Sequence, residues 1–320
     1  MIDLLKLEEF NKKYNLNLSL EDYQRAQAEV QSIATKELSS EGALAMAQVL
    51  GDLISPEPSY KGIARKVLQV KTVSGSEVNK YWKKEKDVTS YIMANGGQIR
   101  KVTRKFTSYT IDIWPITSEN VTVTVMDLIL SGLDIIADTK QEIAESMDKI
   151  EDQYLLSLLA SAASGASHTS QSNAANFYGL TDFITQWKAL NDHIDKPATL
   201  IMHPNRLMDL LTWGDSVTNG VFTPEIRQGM LKTGTIGNQL FVNTYTTTLC
   251  SPLKVYMVGA PEELGWFLQV PQEGNRRRPV VTFGMDEMTK SPAYSLAGFE
   301  VIGMAIAKGE AVHEITIKTS

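Results

Sequence analysis

A single cysteine, Cys250, stands among 320 residues. No intrachain disulfide and no multi-cysteine metal site can form, which suits a protein folded in a reducing cytoplasm. Long apolar runs are missing too. Stretches such as Val255-Tyr256-Met257-Val258 are far too short to cross a bilayer. Met1-Ile2-Asp3-Leu4-Leu5-Lys6 lacks the basic and then apolar regions of a secretory signal. Histidine is scarce, with four copies, and none completes a motif. His313-Glu314 begins like a zincin helix, but Ile317 stands where the second His must sit, and the β-branched neighbours favour a strand. Gly165-Ala166-Ser167-His168 begins like a nucleophile elbow, yet Thr169 follows and no buried strand precedes it. Gly234-Thr235-Ile236-Gly237 has neither the Lys-Ser/Thr of a phosphate loop nor the third Gly of a dinucleotide fingerprint. The residues therefore predict no enzyme, no cofactor and no metal site.

What remains is an ordinary folded composition, 43% apolar and 21% charged, long enough for one large domain or two. The net charge of −6 hides a segregation. Residues 1–60 carry 5 basic and 10 acidic side chains, and residues 61–105 carry 12 and 3. Residues 112–152 carry 2 and 10, and the remainder is close to neutral. Any one block reads as a solvated face. Blocks of +9 and −8 separated by a short strand can also neutralise each other, within a chain or between copies. The basic block could instead bind nucleic acid, a reading weakened by a pI near 5.4. Arg276-Arg277-Arg278-Pro279 reads as a solvated turn before a strand, with a contact to a neighbouring subunit and a phosphate or carboxylate clamp as the alternatives.

Along the chain, helical periodicity runs from Ser19 to about Thr35 and again from Glu41 to Leu53, where Pro56 and Pro58 stop it. Large apolar side chains are few in this segment, so it reads as an arm that packs on something else. Val67, Gln69, Lys71 and Val73 begin an extended run, and Tyr109, Ile111 and Ile113 share one face of another. Between them lies a polar, basic excursion that contains Trp82-Lys83-Lys84 and a turn at Asn95-Gly96-Gly97. It projects as a hairpin or loop.

From Asp134 to Ala163 no Pro or Gly interrupts the chain. Ile136, Ile143, Met147, Ile150, Tyr154 and Leu158 recur at helical spacing, which predicts a helix of roughly 45 Å with Gly165 as its stop. Asp138, Glu142, Glu145, Asp148, Glu151 and Asp152 fall on its polar faces, and its last turns must be buried. Ser164–Asn176 reads as a loop. A mixed α/β module follows, with a helix over 180–190, a buried strand over 198–202 and a short helix over 205–211. Further strands are expected at 239–242, 254–258, 280–283, 299–307 and 312–317.

This order of parts resembles the major capsid proteins of tailed bacteriophages, the Hong Kong 97-type fold, over essentially the whole chain. Leu200-Ile201-Met202-His203-Pro204 and Thr235-Ile236-Gly237-Asn238-Gln239-Leu240-Phe241-Val242 are similar to segments of that family's axial domain. The resemblance implies an α+β fold with an N-terminal arm at 1–60 and an extended E-loop at 61–112. A peripheral domain with its spine helix follows at 113–177, then an axial domain at 178–275. Over 276–320 a strand pair returns to the peripheral domain. It implies self-assembly into pentamers and hexamers of an icosahedral shell around double-stranded DNA, with no sequence-specific binding and no membrane. The virion is the expected location, after assembly in the host cytoplasm. Portal and decoration proteins are implied partners. Because the sequence starts at Met1, scaffolding is expected to be separate or absent.

Some relatives cross-link through a Lys–Asn bond, but nothing near Lys83 or Lys84 identifies a catalytic partner, so no cross-link is expected. The E-loop of this fold lies over a neighbouring subunit. Lys83, Lys84, Lys86, Arg100, Lys101, Arg104 and Lys105 are thus expected to meet Asp138, Glu142, Glu145 and Asp148 of adjacent copies. The alternatives are an encapsulin-like compartment, a soluble α/β enzyme without a known motif, and a monomeric nucleic-acid binder.

Overall fold

The structure is a computed structural model that describes residues 2–14, 19–35, 62–73, 80–84, 106–124, 133–194, 197–211, 235–236, 242–270, 279–285 and 292–319. The expected helix over 41–53 and the Arg276–Arg278 cluster lie outside them.

Helices α1 (Ile2–Tyr14) and α2 (Leu20–Thr35) form a hairpin. Ser19 caps α2: its Oγ accepts the main-chain N–H of Asp22 at 3.1 Å and donates to that side chain at 2.7 Å. Phe10 and Tyr23 pack ring to ring at 5.4 Å, and both are buried with Leu7. The arm therefore has a small core of its own, and α2 also lies against the long helix.

A four-residue turn, α3 (Ala64–Val67), leads into β1 (Gln69–Thr72). Val67, expected to be extended, is helical because a buried carboxylate caps this turn. β2 (Lys80–Lys84) and β3 (Phe106–Thr110) form an antiparallel ribbon of their own, with Tyr81 opposite Tyr109. The excursion is a hairpin at its base. β4 (Trp114–Thr117) and β5 (Val121–Thr124) follow.

The long helix, α4, spans Leu133–Gly165, 33 residues or roughly 50 Å. Its buried line runs through Ile143, Met147, Glu151, Leu155, Leu159 and Ala163 at a spacing of four, with Ala137, Asp148 and Asp152 also buried. The expected line through Ile150, Tyr154 and Leu158 is rotated off this one, and Ile150 is exposed. Three acidic residues expected on polar faces, Asp148, Glu151 and Asp152, turn inward instead, which is possible because the last two meet buried donors. Trp114 packs edge-on against Tyr154 at 4.7 Å.

β6 (Thr169–Ala175) replaces the expected loop. Its composition, Thr-Ser-Gln-Ser-Asn-Ala-Ala, carries no apolar alternation because it is a sheet edge, held by parallel pairing with the distant strand in which Glu314 stands beside Thr169. α5 (Leu180–Asn191) is pinned to it by Asp182, which is buried and accepts the main-chain N–H groups of Asn173 and Gly179 at 2.8 and 2.9 Å. β7 (Pro197–Met202), α6 (Pro204–Leu211), β8 (Thr235–Ile236), β9 (Val242–Thr246) and β10 (Lys254–Gly259) complete the α/β module. The chain ends through α7 (Pro261–Leu264), β11 (Gly265–Gln269), β12 (Pro279–Met285), β13 (Pro292–Ile306), a 3-10 turn at Gly309–Ala311, and β14 (Val312–Lys318).

Among the described residues two six-stranded sheets result. The first gathers β1, β4, β5, β11 and β12 around the 15-residue strand β13. The second has the order β6-β14-β10-β7-β9-β8. β13 and β14, expected to return as a pair, therefore lie in different sheets. β11, expected within the axial segment, belongs to the first. The chain crosses between sheets more often than a succession of segments implies. One continuous core joins them: Leu155, Leu159 and Ala163 of α4 pack with Leu200 and Val255 of the second sheet and Phe267 and Ile302 of the first. β13 approaches α4 so closely that a Cβ on Gly298 would stand 2.4 Å from Ile143 Cγ2 and 2.6 Å from Met147 Sδ.

Candidate assembly surfaces

The most constrained charged group lies where the arm gives way to the excursion. Arg65, on α3, sends Nε and Nη2 to Glu151 of α4 at 3.0 and 2.6 Å. Nη2 also reaches Glu300 of β13 at 2.7 Å, and Nη1 reaches Gln269 of β11 at 3.2 Å. Gln269 donates in turn to Glu300 at 2.8 Å, and the guanidinium lies 4.8 Å from the centre of the Phe267 ring. Both carboxylates are 1% exposed. Burial works against the charge on Arg65, but hydrogen bonds and attraction from Glu151 and Glu300 outweigh it and hold its pKa above the ordinary value. One residue along α4, Asp152 accepts the main-chain N–H groups of Ile63 and Ala64 at 2.8–3.1 Å. This junction ties four elements, α3, α4, β11 and β13, together beside the start of β1. Breaking such a buried pair costs about 3–5 kcal/mol.

Sequence reading assigned Arg65 to the basic block and Glu151 to the acidic one, and missed their meeting. A signal existed: 147, 155, 159 and 163 repeat every four residues, and Glu151 fills the gap in that apolar line.

The expected contact residues separate differently. Lys83 and Lys84 stand in β2, opposite Thr107 and Phe106 in the ribbon register. Lys86, Arg100, Lys101, Arg104 and Lys105 lie outside the described residues. On α4, Asp138 and Glu142 are exposed, and Glu145 is half-buried and accepts from Gln141 at 3.1 Å. Asp148 is buried within the subunit against Gly62, where an added Cβ would meet its Cγ at 3.2 Å. The outward acidic face is thus Asp138, Glu142 and Glu145. Lys13 of the arm reaches it within the same chain, 3.5 Å from Asp138.

His313 lies in a strand, as its β-branched neighbours required, and among the described residues no set of three or more His, Cys, Asp or Glu could hold a metal ion. No helix among the described residues is long and apolar enough to cross a membrane.

A helical arm, a ribbon, one long helix and two sheets sharing its core make up the described fold. A family model described as phage capsid protein matches residues 118–309, more than half of the chain, and the chain belongs to that family. It is a structural capsid protein. Its fold is shared with solved phage structures of low identity. One, from Gordonia phage Cozz, is 12% identical with a TM-score of 0.59, covering 89% of this chain and 97% of that one. The capsid structure of cyanophage P-SCSP1u is 12% identical with a TM-score of 0.56, covering 84% and 92%. A structure from Microbacterium phage Oxtober96 is 13% identical with a TM-score of 0.56, covering 89% and 100%. No curated protein matches the chain. The family match favours neither the compartment nor the enzyme alternative.

Proposed function

We propose that this chain is the repeating subunit of an icosahedral phage head, arranged as pentamers and hexamers around double-stranded DNA. It works without catalysis or a cofactor and binds DNA without reading its sequence. Its location is the virion, after assembly in the host cytoplasm with portal and decoration proteins as partners and with scaffolding either separate or absent. Residues 1–60 serve as the arm and 61–112 as the E-loop. Residues 113–177 form the peripheral domain, 178–275 the axial domain and 276–320 the closing strands.

The observation that carries this reading is the β2–β3 ribbon. It pairs with no other strand among the described residues. A lone two-stranded ribbon is marginal in water, so it calls for a second surface. In a capsid protein the natural second surface is another copy. The basic residues Lys83, Lys84, Lys86, Arg100, Lys101, Arg104 and Lys105 then meet the outward acidic face of a neighbouring α4. Each exposed pair contributes at most about 1 kcal/mol. Repeated over many copies, such pairs set register more than affinity.

Electron microscopy of the purified protein tests the shell. Closed particles or rings of five and six subunits are expected. Compact monomers alone, at all protein concentrations and salt levels, would overturn it.

A further inference from the structure

Three of the four histidines meet at one place, although they are far apart in sequence. His168 follows α4 directly, after Ser167 with its positive φ of 60°. Its ring lies 4.9 Å from that of His193, just past the end of α5, and 6.1 Å from that of His313 on β14. His313 is 4% exposed. The Nδ1 atoms of His168 and His313 are both buried with no hydrogen-bond partner. The cluster therefore spans the end of the long helix, the end of α5 and an inner strand of the second sheet.

The charges around it do not favour a cation. Lys308, before the 3-10 turn, places its ammonium on the main-chain carbonyl of His193. Glu314 follows His313 but occupies the other face of β14, where it pairs with Lys254 at 2.8 Å and bonds Tyr256. From α5, the neutral Gln186 donates to the His313 carbonyl, and Met257 is the partner on β10. Asp192 and Glu310, in the adjoining turns, are exposed and form no ion pair with the cluster among the described residues. The three rings are not arranged to hold a metal.

We infer that the cluster of His168, His193 and His313 forms a proton-sensitive latch, which holds the end of the long helix against β14 and α5 while His313 is neutral and releases it when His313 takes up a proton. Burial, and then the charge of His168, lower the His313 pKa to about 4 from its ordinary 6.5. An unfolded or opened chain takes up that proton first. The stabilisation is complete above pH 6.5 and is lost as the pH falls from 6.5 towards 4. The consequence is local: the C-terminal turns of α4 and strand β14 open before the rest of the subunit.

Amide hydrogen exchange on the full chain at pH 7.5 and 4.5, corrected for intrinsic rates, reads this directly. Amides of Leu159–Gly165 and Val312–Ile317 are expected to lose at least tenfold in protection at the lower pH, since one unit of pKa depression is a factor of ten. The H313Q variant should keep most of that protection at pH 4.5. A uniform change along the chain, or the same local loss in H313Q, would overturn the latch. If H313Q does not fold, the imidazole titration of the native chain by NMR decides. Titration of His313 well below 6 supports the latch, and titration near 6.5 overturns it.

Discussion

Along one helix, α4, acidic side chains meet two opposite fates. Asp138 and Glu142, in the first turns, stand in solvent, while Glu151 and Asp152, three turns later, are almost wholly buried. The chemistry is the same and the energetics are not. A carboxylate in water keeps its hydration, and its attraction to a passing cation is worth little and is screened by salt. A carboxylate taken from water must find donors that replace that hydration, and Glu151 and Asp152 find them in Arg65 and in two main-chain amides. The buried group thus fixes the subunit, and the exposed group is the one proposed to meet neighbouring subunits.

The sharpest break of this contrast is at Arg65. Arg65→Met is expected to destabilise the subunit by about 3–5 kcal/mol, measured by denaturant unfolding, because it strands two buried carboxylates. Replacing Arg65, Glu151 and Glu300 together with apolar residues of similar volume should recover most of that loss, since the buried charges then disappear as a set. A triple variant as unstable as the single one would show that the junction acts through shape rather than charge. Next in size is Gly298→Val, which drives a side chain into Ile143 and Met147 and should cost about 1–3 kcal/mol in the same assay. At the exposed end, Lys13→Ala should change subunit stability by less than about 1 kcal/mol, and that difference should vanish in molar salt. A larger, salt-resistant loss would place Lys13 with the buried group.

The same contrast explains what could be read from sequence. The long helix was legible because nothing breaks the chain between Asp134 and Ala163, and β7 because Leu200-Ile201-Met202 is a short apolar run. The inward face of α4 was misplaced because hydrophobicity alone cannot show that Glu151 and Asp152 have partners 86 to 89 residues earlier. β6 was read as a loop because pairing with a distant strand, not its own side chains, makes it a strand. β11 went unread, and the placement of β13 and β14 in separate sheets followed from register, which leaves little trace in one sequence. Of the acidic residues expected at the contact surface, Asp138 and Glu142 are exposed and Glu145 is half-buried, whereas Asp148 lies inside. The histidine cluster had no local signature, since residues 168, 193 and 313 meet only through the fold.

The proposed joining of subunits through the basic block is tested most directly by reversing the charge of Lys83, Lys84 and Lys86 in the intact protein, as K83E/K84E/K86E. Circular dichroism and denaturant unfolding should match the native subunit, while sedimentation and electron microscopy should show no closed particles. Particles that form normally at both low and high salt would contradict the proposal that these lysines join one copy to the next.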